Sequence, residues 1–210
     1  MGASGPIALL VAAGSGSRLG ASIPKAFVEL AGRPMLEWSI DALRAAGIAE
    51  IVVALPDGVG APDGCVGVRG GATRSESVRA ALAAGGPGDV VVHDAARPLV
   101  SDEVVERVLA PLSEGWDGVV PGLPVGDTLK RVGSDGGVQE TVSRDGLWAV
   151  QTPQAFAADV LRRAQRRGGE ATDCAGLVEA AGGRIKVVDG DPHLLKVTSE
   201  ADLETVAGWR

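Results

Sequence analysis

The stretch LLVAAGSGSRLGASIPKAF, residues 9–27, runs from an apolar segment into Gly14, Gly16 and Gly20, with Arg18 inside the glycine loop and Lys25 behind Pro24. A glycine loop placed directly after a strand lets the backbone turn sharply and aim several N–H groups at an anion. Arg18 and Lys25 would add full charges beside those amides, and Pro24 stiffens the segment that delivers Lys25. A second cluster, VVVHDAARP over residues 90–98, ends a valine strand in His93 and Asp94. There Asp94 could offer a hard oxygen to Mg²⁺, and Arg97 could meet a second phosphate. His93 reads as a packing or supporting histidine.

The glycines alone suit three kinds of phosphate site. A dinucleotide fold wants an acidic residue at the end of the second strand, about 20 residues past the loop. Here that strand ends at Leu55, followed by Pro56 and Asp57, which is too late, and the chain has no tyrosine to act as a phenolic acid or base. A P-loop wants Gly-Lys-Ser or Gly-Lys-Thr, whereas Gly20 is followed by Ala21 and Ser22. What remains is a loop that sets Arg18 and Lys25 beside a nucleoside triphosphate.

The elements that must hold these groups follow from periodicity. Ile7 to Ala12 is a continuous apolar run, as in a strand buried on both faces. Met35 to Ala46 has a helical period, Glu50 to Leu55 reads as strand, Ser75 to Ala84 as helix and Asp89 to His93 as another buried strand. Ser101 predicts an N-cap, with Asp102 and Glu103 in the first turn of a helix reaching about Leu112. Gly118 to Leu123 predicts a core strand, and Thr172 and Ser199 predict N-caps of two further helices flanking a strand at Ile185 to Asp189. Strands alternating with helices imply an α/β fold with a mostly parallel sheet, which binds ligands beyond the C-terminal ends of its strands. Residues 124–148, PVGDTLKRVGSDGGVQETVSRDGLW, break the alternation and predict a projecting β-hairpin arm around Ser-Asp-Gly-Gly. An isolated two-stranded hairpin is marginal in water, so a second subunit is the expected partner of the arm.

The 210 residues suit one domain spanning residues 1–210. The two cysteines, Cys65 and Cys174, form no CxxC pair, and with no signal peptide they suggest a reducing, cytoplasmic setting. No apolar run approaches the roughly 20 residues of a membrane helix, so no membrane association is expected. A net charge of −7 argues against nonspecific nucleic-acid binding. An anionic substrate therefore needs a local cluster of cations, drawn from 16 arginines and the four lysines Lys25, Lys130, Lys186 and Lys196.

In order along the chain, AAGSGSRLG, PKAF, GGATRSESV, VHDAARP, PVGDTLKR, TVSRDGLWAVQTPQAF, ATD and LKVT resemble the 2-C-methyl-D-erythritol 4-phosphate cytidylyltransferases of the non-mevalonate isoprenoid pathway. The resemblance runs nearly end to end. It implies a Rossmann-like nucleotidyltransferase fold and transfer of CMP from CTP to methylerythritol 4-phosphate, releasing pyrophosphate, with Mg²⁺ as cofactor. By position it implies that Ala12, Ala13, Gly14 and Gly16 line the nucleotide, with Arg18 and Lys25 catalytic on its phosphates. Gly71, Arg74 and Ser77 would surround cytosine and ribose, and Asp94 would hold the metal. Arg97, Thr152, Thr172 and Lys196 would face the sugar phosphate, and Thr128 and Arg144 would reach it from the arm of a homodimer partner. Two segments depart from the pattern. Cys174-Ala175-Gly176 stands where the family commonly has Glu-Ala-Ser, and Ala72 replaces a residue that is sometimes polar.

This chemistry needs no general base, because a phosphate monoester has a second pKa near ~6 and is largely a dianion at neutral pH. Two rivals remain at this level: a cytidylyltransferase for another polyol phosphate such as ribitol 5-phosphate, and a catalytically silent nucleotide-binding protein of the same fold.

Overall fold

The computed structural model describes residues 4–14, 23–168 and 171–209. Gly16, Arg18 and Gly20 of the glycine loop lie outside the described residues.

The buried run that opens the chain forms β1 (Ile7–Val11). After a 3₁₀ turn at Lys25–Phe27 comes a two-residue ladder, β2 (Glu29–Leu30) and β3 (Arg33–Pro34). Helix α1 (Met35–Ala45) leads to β4 (Glu50–Leu55) and β5 (Val66–Arg69), then α2 (Arg74–Ala84) and β6 (Val90–Asp94). Helix α3 (Asp102–Leu109) precedes β7 (Gly118–Pro124). The hairpin strands β8 (Leu129–Val132) and β9 (Val138–Val142) lead to β10 (Trp148–Val150) and β11 (Gln154–Phe156). Helices α4 (Ala158–Arg167) and α5 (Cys174–Ala180), strand β12 (Ile185–Asp189) and helix α6 (Glu200–Gly208) complete the order.

Eight strands form the central sheet in the order β10-β7-β11-β6-β1-β4-β5, with β12 against β7. The pairs β1/β4, β1/β6, β4/β5 and β12/β7 are parallel. Strand β11 slots antiparallel between β6 and β7, and β10 pairs antiparallel with the far half of β7. Because successive residues of a strand face opposite sides, β1 feeds two cores. Ala8 and Leu10 pack with Leu36, Ile40 and Leu43 of α1 and Val104 and Val108 of α3. Ile7 and Leu9 pack on the other face with Val78 and Leu82 of α2, Leu161 of α4 and Val178 of α5. Both faces are covered, which is why β1, β4 and β6 read as continuous apolar runs.

Capping fixes where the helices start. Ser101 caps α3 through Val104 N at 3.4 Å, and Ser199 forms a capping box with Asp202 on α6. The cap of α5 is Asp173, one residue later than Thr172, because its carboxylate accepts from Gly176 N at 2.9 Å. Helix α3 stops at Leu109 and tightens into a 3₁₀ turn over Ala110–Glu114. Pro111 in that turn has no N–H to continue the α-helical ladder, so the helix is shorter than the sequence pattern suggests.

The arm is a two-stranded sheet of its own. Gly136, at φ +82°, turns the hairpin, and Gly133 N donates to Gly137 O at 2.9 Å.

Candidate active site

A cavity of about 310 Å³ opens beyond the C-terminal ends of β1 and β6, within the size range of small-molecule pockets. Parallel register places Val11 beside Asp94 on one side and Ala54 on the other, so the segment after β1 emerges at the mouth of the sheet. Ala12 N donates to Ala54 O at 2.9 Å, and Lys25 N donates to Gly14 O at 3.3 Å. Those bonds set Ala12, Ala13, Gly14 and Lys25 on the cavity wall.

The opposite wall is the turn into α2. Thr73 and Glu76 form a capping box, and Glu76 Oε2 also accepts from Ala72 N at 2.7 Å. Gly71 N donates to Ser77 Oγ at 3.1 Å, and that hydroxyl donates to Thr73 O at 3.0 Å. The turn closes so tightly that a methyl group on Gly71 would run into the Glu76 side chain, and one on Gly70 into Ala13. Glu76 thus occupies amides at the helix start that could otherwise bind an anion. This wall suits a nucleoside better than a phosphate.

The charged floor is built around Asp94, the buried last residue of β6. Arg74 Nε donates to Asp94 Oδ1 at 2.9 Å and Lys196 Nζ to Asp94 Oδ2 at 2.6 Å. Burial alone would raise the Asp94 carboxyl pKa, but Arg74 and Lys196 outweigh it and hold the group well below the usual carboxylate range. Burial likewise disfavours the Arg74 cation, and the Asp94 carboxylate reverses that effect. Arg74 Nη1 reaches Cys174 Sγ at 3.6 Å, while Nη2 is buried with no hydrogen-bond partner among the described residues.

Asp94 does not fit the expected role of metal ligand in this arrangement. Each of its oxygens already faces a cation, and a Mg²⁺ at its usual ~2.0–2.1 Å from a carboxylate oxygen would be pressed against both. Among the described residues there is no group of three or more His, Cys, Asp or Glu side chains placed to hold a metal ion.

The remaining site candidates divide. Gly71, Arg74, Ser77 and Lys196 line the cavity with Ala12, Ala13, Gly14 and Lys25. Thr152, Arg97 and Thr172 are absent from the lining. Thr152 is buried, its Oγ1 accepting from Asp94 N at 3.1 Å and facing His93 Nδ1 at 3.1 Å. Arg97 O, 3.1 Å from His93 Nε2, can only accept, so the neutral ring carries its proton on Nε2. Nδ1 is then the acceptor and takes the Thr152 hydroxyl proton. Arg97 turns its guanidinium toward Leu194 O, and Thr172 is exposed beside the α5 cap. Thr128 and Arg144 are exposed at the base of the arm, where Arg144 Nη1 donates to Gly126 O.

Thr198 also lines the cavity, and it is not among the residues that the motifs single out. It follows Lys196 by two residues, with Val197 buried between them, so the polar-apolar-polar order in LKVT carries the signal.

Residues 7–208 match the model of the family described as 2-C-methyl-D-erythritol 4-phosphate cytidylyltransferase (IspD). The chain is 46% identical over 213 residues to the enzyme of that name from Saccharopolyspora erythraea, covering 94% of this chain and 95% of the relative. It is 44% identical to the one from Rhodococcus jostii, covering 95% and 92%. The crystal structure of the Thermus thermophilus enzyme superposes with a TM-score of 0.82 at 38% identity, covering 96% of this chain and 97% of that one. The family match over nearly the whole chain and these identities settle the family: the chain belongs to the 2-C-methyl-D-erythritol 4-phosphate cytidylyltransferase family.

Proposed function

We propose that this chain transfers CMP from CTP to the phosphate of 2-C-methyl-D-erythritol 4-phosphate, giving 4-diphosphocytidyl-2-C-methyl-D-erythritol and pyrophosphate. The observation that carries the reading is the set of cations Lys25, Arg74 and Lys196 gathered at one cavity, the last two paired with the buried carboxylate Asp94. His93 offers no base. Burial above all pushes its pKa down to about 4, and both ring nitrogens are engaged.

A phosphate dianion needs no base to attack, since it is already a nucleophile. One acceptor oxygen bonds to the α-phosphorus of CTP as the bond from that phosphorus to the bridging β-phosphate oxygen breaks, and pyrophosphate leaves with the electron pair. What the site must supply is neutralisation of charge shared between two anions. Lys25 lies at the mouth of the glycine loop and suits the growing charge on the α-phosphate and leaving group. Arg18 takes the same task in this reading. Ala12, Ala13, Gly14, Gly71 and Ser77 form the nucleoside cradle. Lys196 and Thr198, both on the cavity wall in the loop before α6, face the acceptor phosphate beside Asp94. Asp94, paired with Arg74 and Lys196, would not be the ligand of a divalent cation; such a cation, bound with CTP, would supply neutralisation of phosphate charge.

The acceptor side is completed by a second copy of the chain. Trp148 and Val150 on β10 are 39% and 41% exposed, and Val132 and Val138 on the arm 52% and 64%. Such apolar surface on a hairpin and sheet edge suits pairing with another chain. Thr128 and Arg144, which are absent from the lining of their own cavity, would then reach the acceptor of the partner.

Pyrophosphate release with CTP and Mg²⁺ tests the reading when methylerythritol 4-phosphate is compared with ribitol 5-phosphate. Release with methylerythritol phosphate alone is expected. Release only with ribitol phosphate would replace the acceptor, and CTP binding without release from either would leave a silent nucleotide-binding protein.

A further inference from the structure

We infer that Cys174 sets the charge of the cavity floor from behind: as an uncharged partner of Arg74 it leaves that guanidinium to share Asp94 with Lys196, so the floor keeps a net positive charge for the phosphates of the nucleotide. The inference rests on the reading of the cavity given above. Lys25, Arg74 and Lys196 line the cavity, and Asp94 is the one acidic side chain in its lining among the described residues. Arg74 Nε and Lys196 Nζ each take one oxygen of Asp94, at 2.9 and 2.6 Å, which puts two cations on a single carboxylate. A further group in contact with Arg74 then decides the balance.

That group is Cys174, the first residue of α5. It is 1% exposed and absent from the cavity lining, so it acts on a ligand only through Arg74, whose Nη1 lies 3.6 Å from its Sγ. The carboxylate next to it on α5 is committed elsewhere. Asp173 Oδ1 accepts from Gly176 N at 2.9 Å and Oδ2 from Gln154 Nε2 at 2.8 Å, capping the helix and tying it to β11. Burial, the largest influence on the Cys174 thiol, pushes its pKa up despite Arg74, which keeps the group neutral. A thiol is a weak hydrogen-bonding partner without charge. A carboxylate in its place would pair with the guanidinium and cancel the surplus. A unit charge ~10 Å from a phosphate, at an effective dielectric constant of about 20, changes affinity on the order of tenfold.

Cys174→Asp and Cys174→Asn introduce side chains of one shape that differ in charge. Dissociation constants for cytidine, and for CTP with Mg²⁺, are measured by NMR titration of the parent and both variants. Cytidine carries no phosphate and reports whether the nucleoside cradle is intact. Cys174→Asp is expected to bind CTP about tenfold more weakly than Cys174→Asn, with the two alike for cytidine. Equal affinity of the two variants for CTP would overturn the inference. A loss of cytidine binding in Cys174→Asp that matches its loss of CTP binding would overturn it too, since the effect would then be one of shape. Cys174→Ser should leave CTP affinity unchanged; tighter binding would mean that the thiol is ionised and already neutralises Arg74, which also contradicts the inference. A parent that holds CTP no more tightly than cytidine would remove the reading of the cavity as a phosphate site, and the inference with it. Should Cys174→Asp fail to fold, Cys174→Glu and Cys174→Gln form the same pair, and the same outcomes decide.

Discussion

His93 ties the stability of the site to pH. It is completely buried, and burial, the largest influence on it, moves its pKa from the ordinary 6.5 to about 4 despite the nearby Asp94 carboxylate. In the neutral ring Nε2–H donates to Arg97 O and Nδ1 accepts from the Thr152 hydroxyl; a second proton would turn that hydroxyl hydrogen away and place a charge in a fully buried ring. The unfolded chain binds a proton below pH 6.5 while the native histidine stays neutral until about pH 4. The unfolded state then carries more protons, and stability falls with falling pH across that window. At about 1.4 kcal/mol per unit, the whole displacement is worth roughly 3 kcal/mol, of which about 2 kcal/mol is lost between pH 7 and pH 5. Urea unfolding of the parent and of His93→Gln at those two pH values measures it. The substitution lowers stability at both pH values by leaving hydrogen-bond partners unmet, so the informative quantity is the change with pH. The parent should lose about 2 kcal/mol more than the variant. Equal losses in the two proteins would refute the claim that His93 is held neutral.

Lys25→Ala should lower turnover by about 10²–10³-fold, the usual consequence of removing one preorganised donor from a developing oxyanion, with CTP still bound; near-normal steady-state turnover would exclude Lys25 from the phosphates. Arg144→Ala should raise the apparent KM for the sugar phosphate while leaving that for CTP alone, and initial-rate kinetics with both substrates varied would show whether the arm serves the acceptor. Trp148→Glu places a charge on the exposed edge formed by β10, and sedimentation should report a dimer for the parent and a monomer for the variant. Persistence of the dimer would move the interface elsewhere.

The parts of the fold that could be read in the sequence are those whose residues face one environment throughout. Strands β1, β4, β6 and β7 are buried along most of their length, and α2, α3 and α6 begin at capping residues whose hydrogen bonding is local. The elements that escaped are short or charge-dense. Gln154–Phe156 is fully buried, but three residues carry no period, and the antiparallel insertion of β11 between β6 and β7 is a long-range pairing. In α4, ADVLRRAQRR, arginines surround a buried stripe of Val160, Leu161 and Ala164, so the apolar face is thin beside the charge.

At the site, residues brought by backbone continuity from strand ends were legible: Ala12, Ala13, Gly14 and Asp94 lie where β1 and β6 terminate. What Asp94 does was not. Arg74 and Lys196 are 20 and 102 residues away from it in sequence, and only the folded chain shows that they occupy its two oxygens. The same holds for Arg97 and Thr152, whose polar groups look like substrate ligands in a motif and are taken up by Leu194, His93 and Asp94.

The account stands most directly on the product. Phosphorus NMR of CTP, Mg²⁺ and 2-C-methyl-D-erythritol 4-phosphate with the enzyme should show the acceptor monoester resonance replaced by a diphosphodiester, in equal amount to the pyrophosphate formed, and no change when the acceptor is omitted. Pyrophosphate appearing with free CMP instead of the diphosphodiester, or an unchanged acceptor resonance while ribitol 5-phosphate is converted, would contradict it.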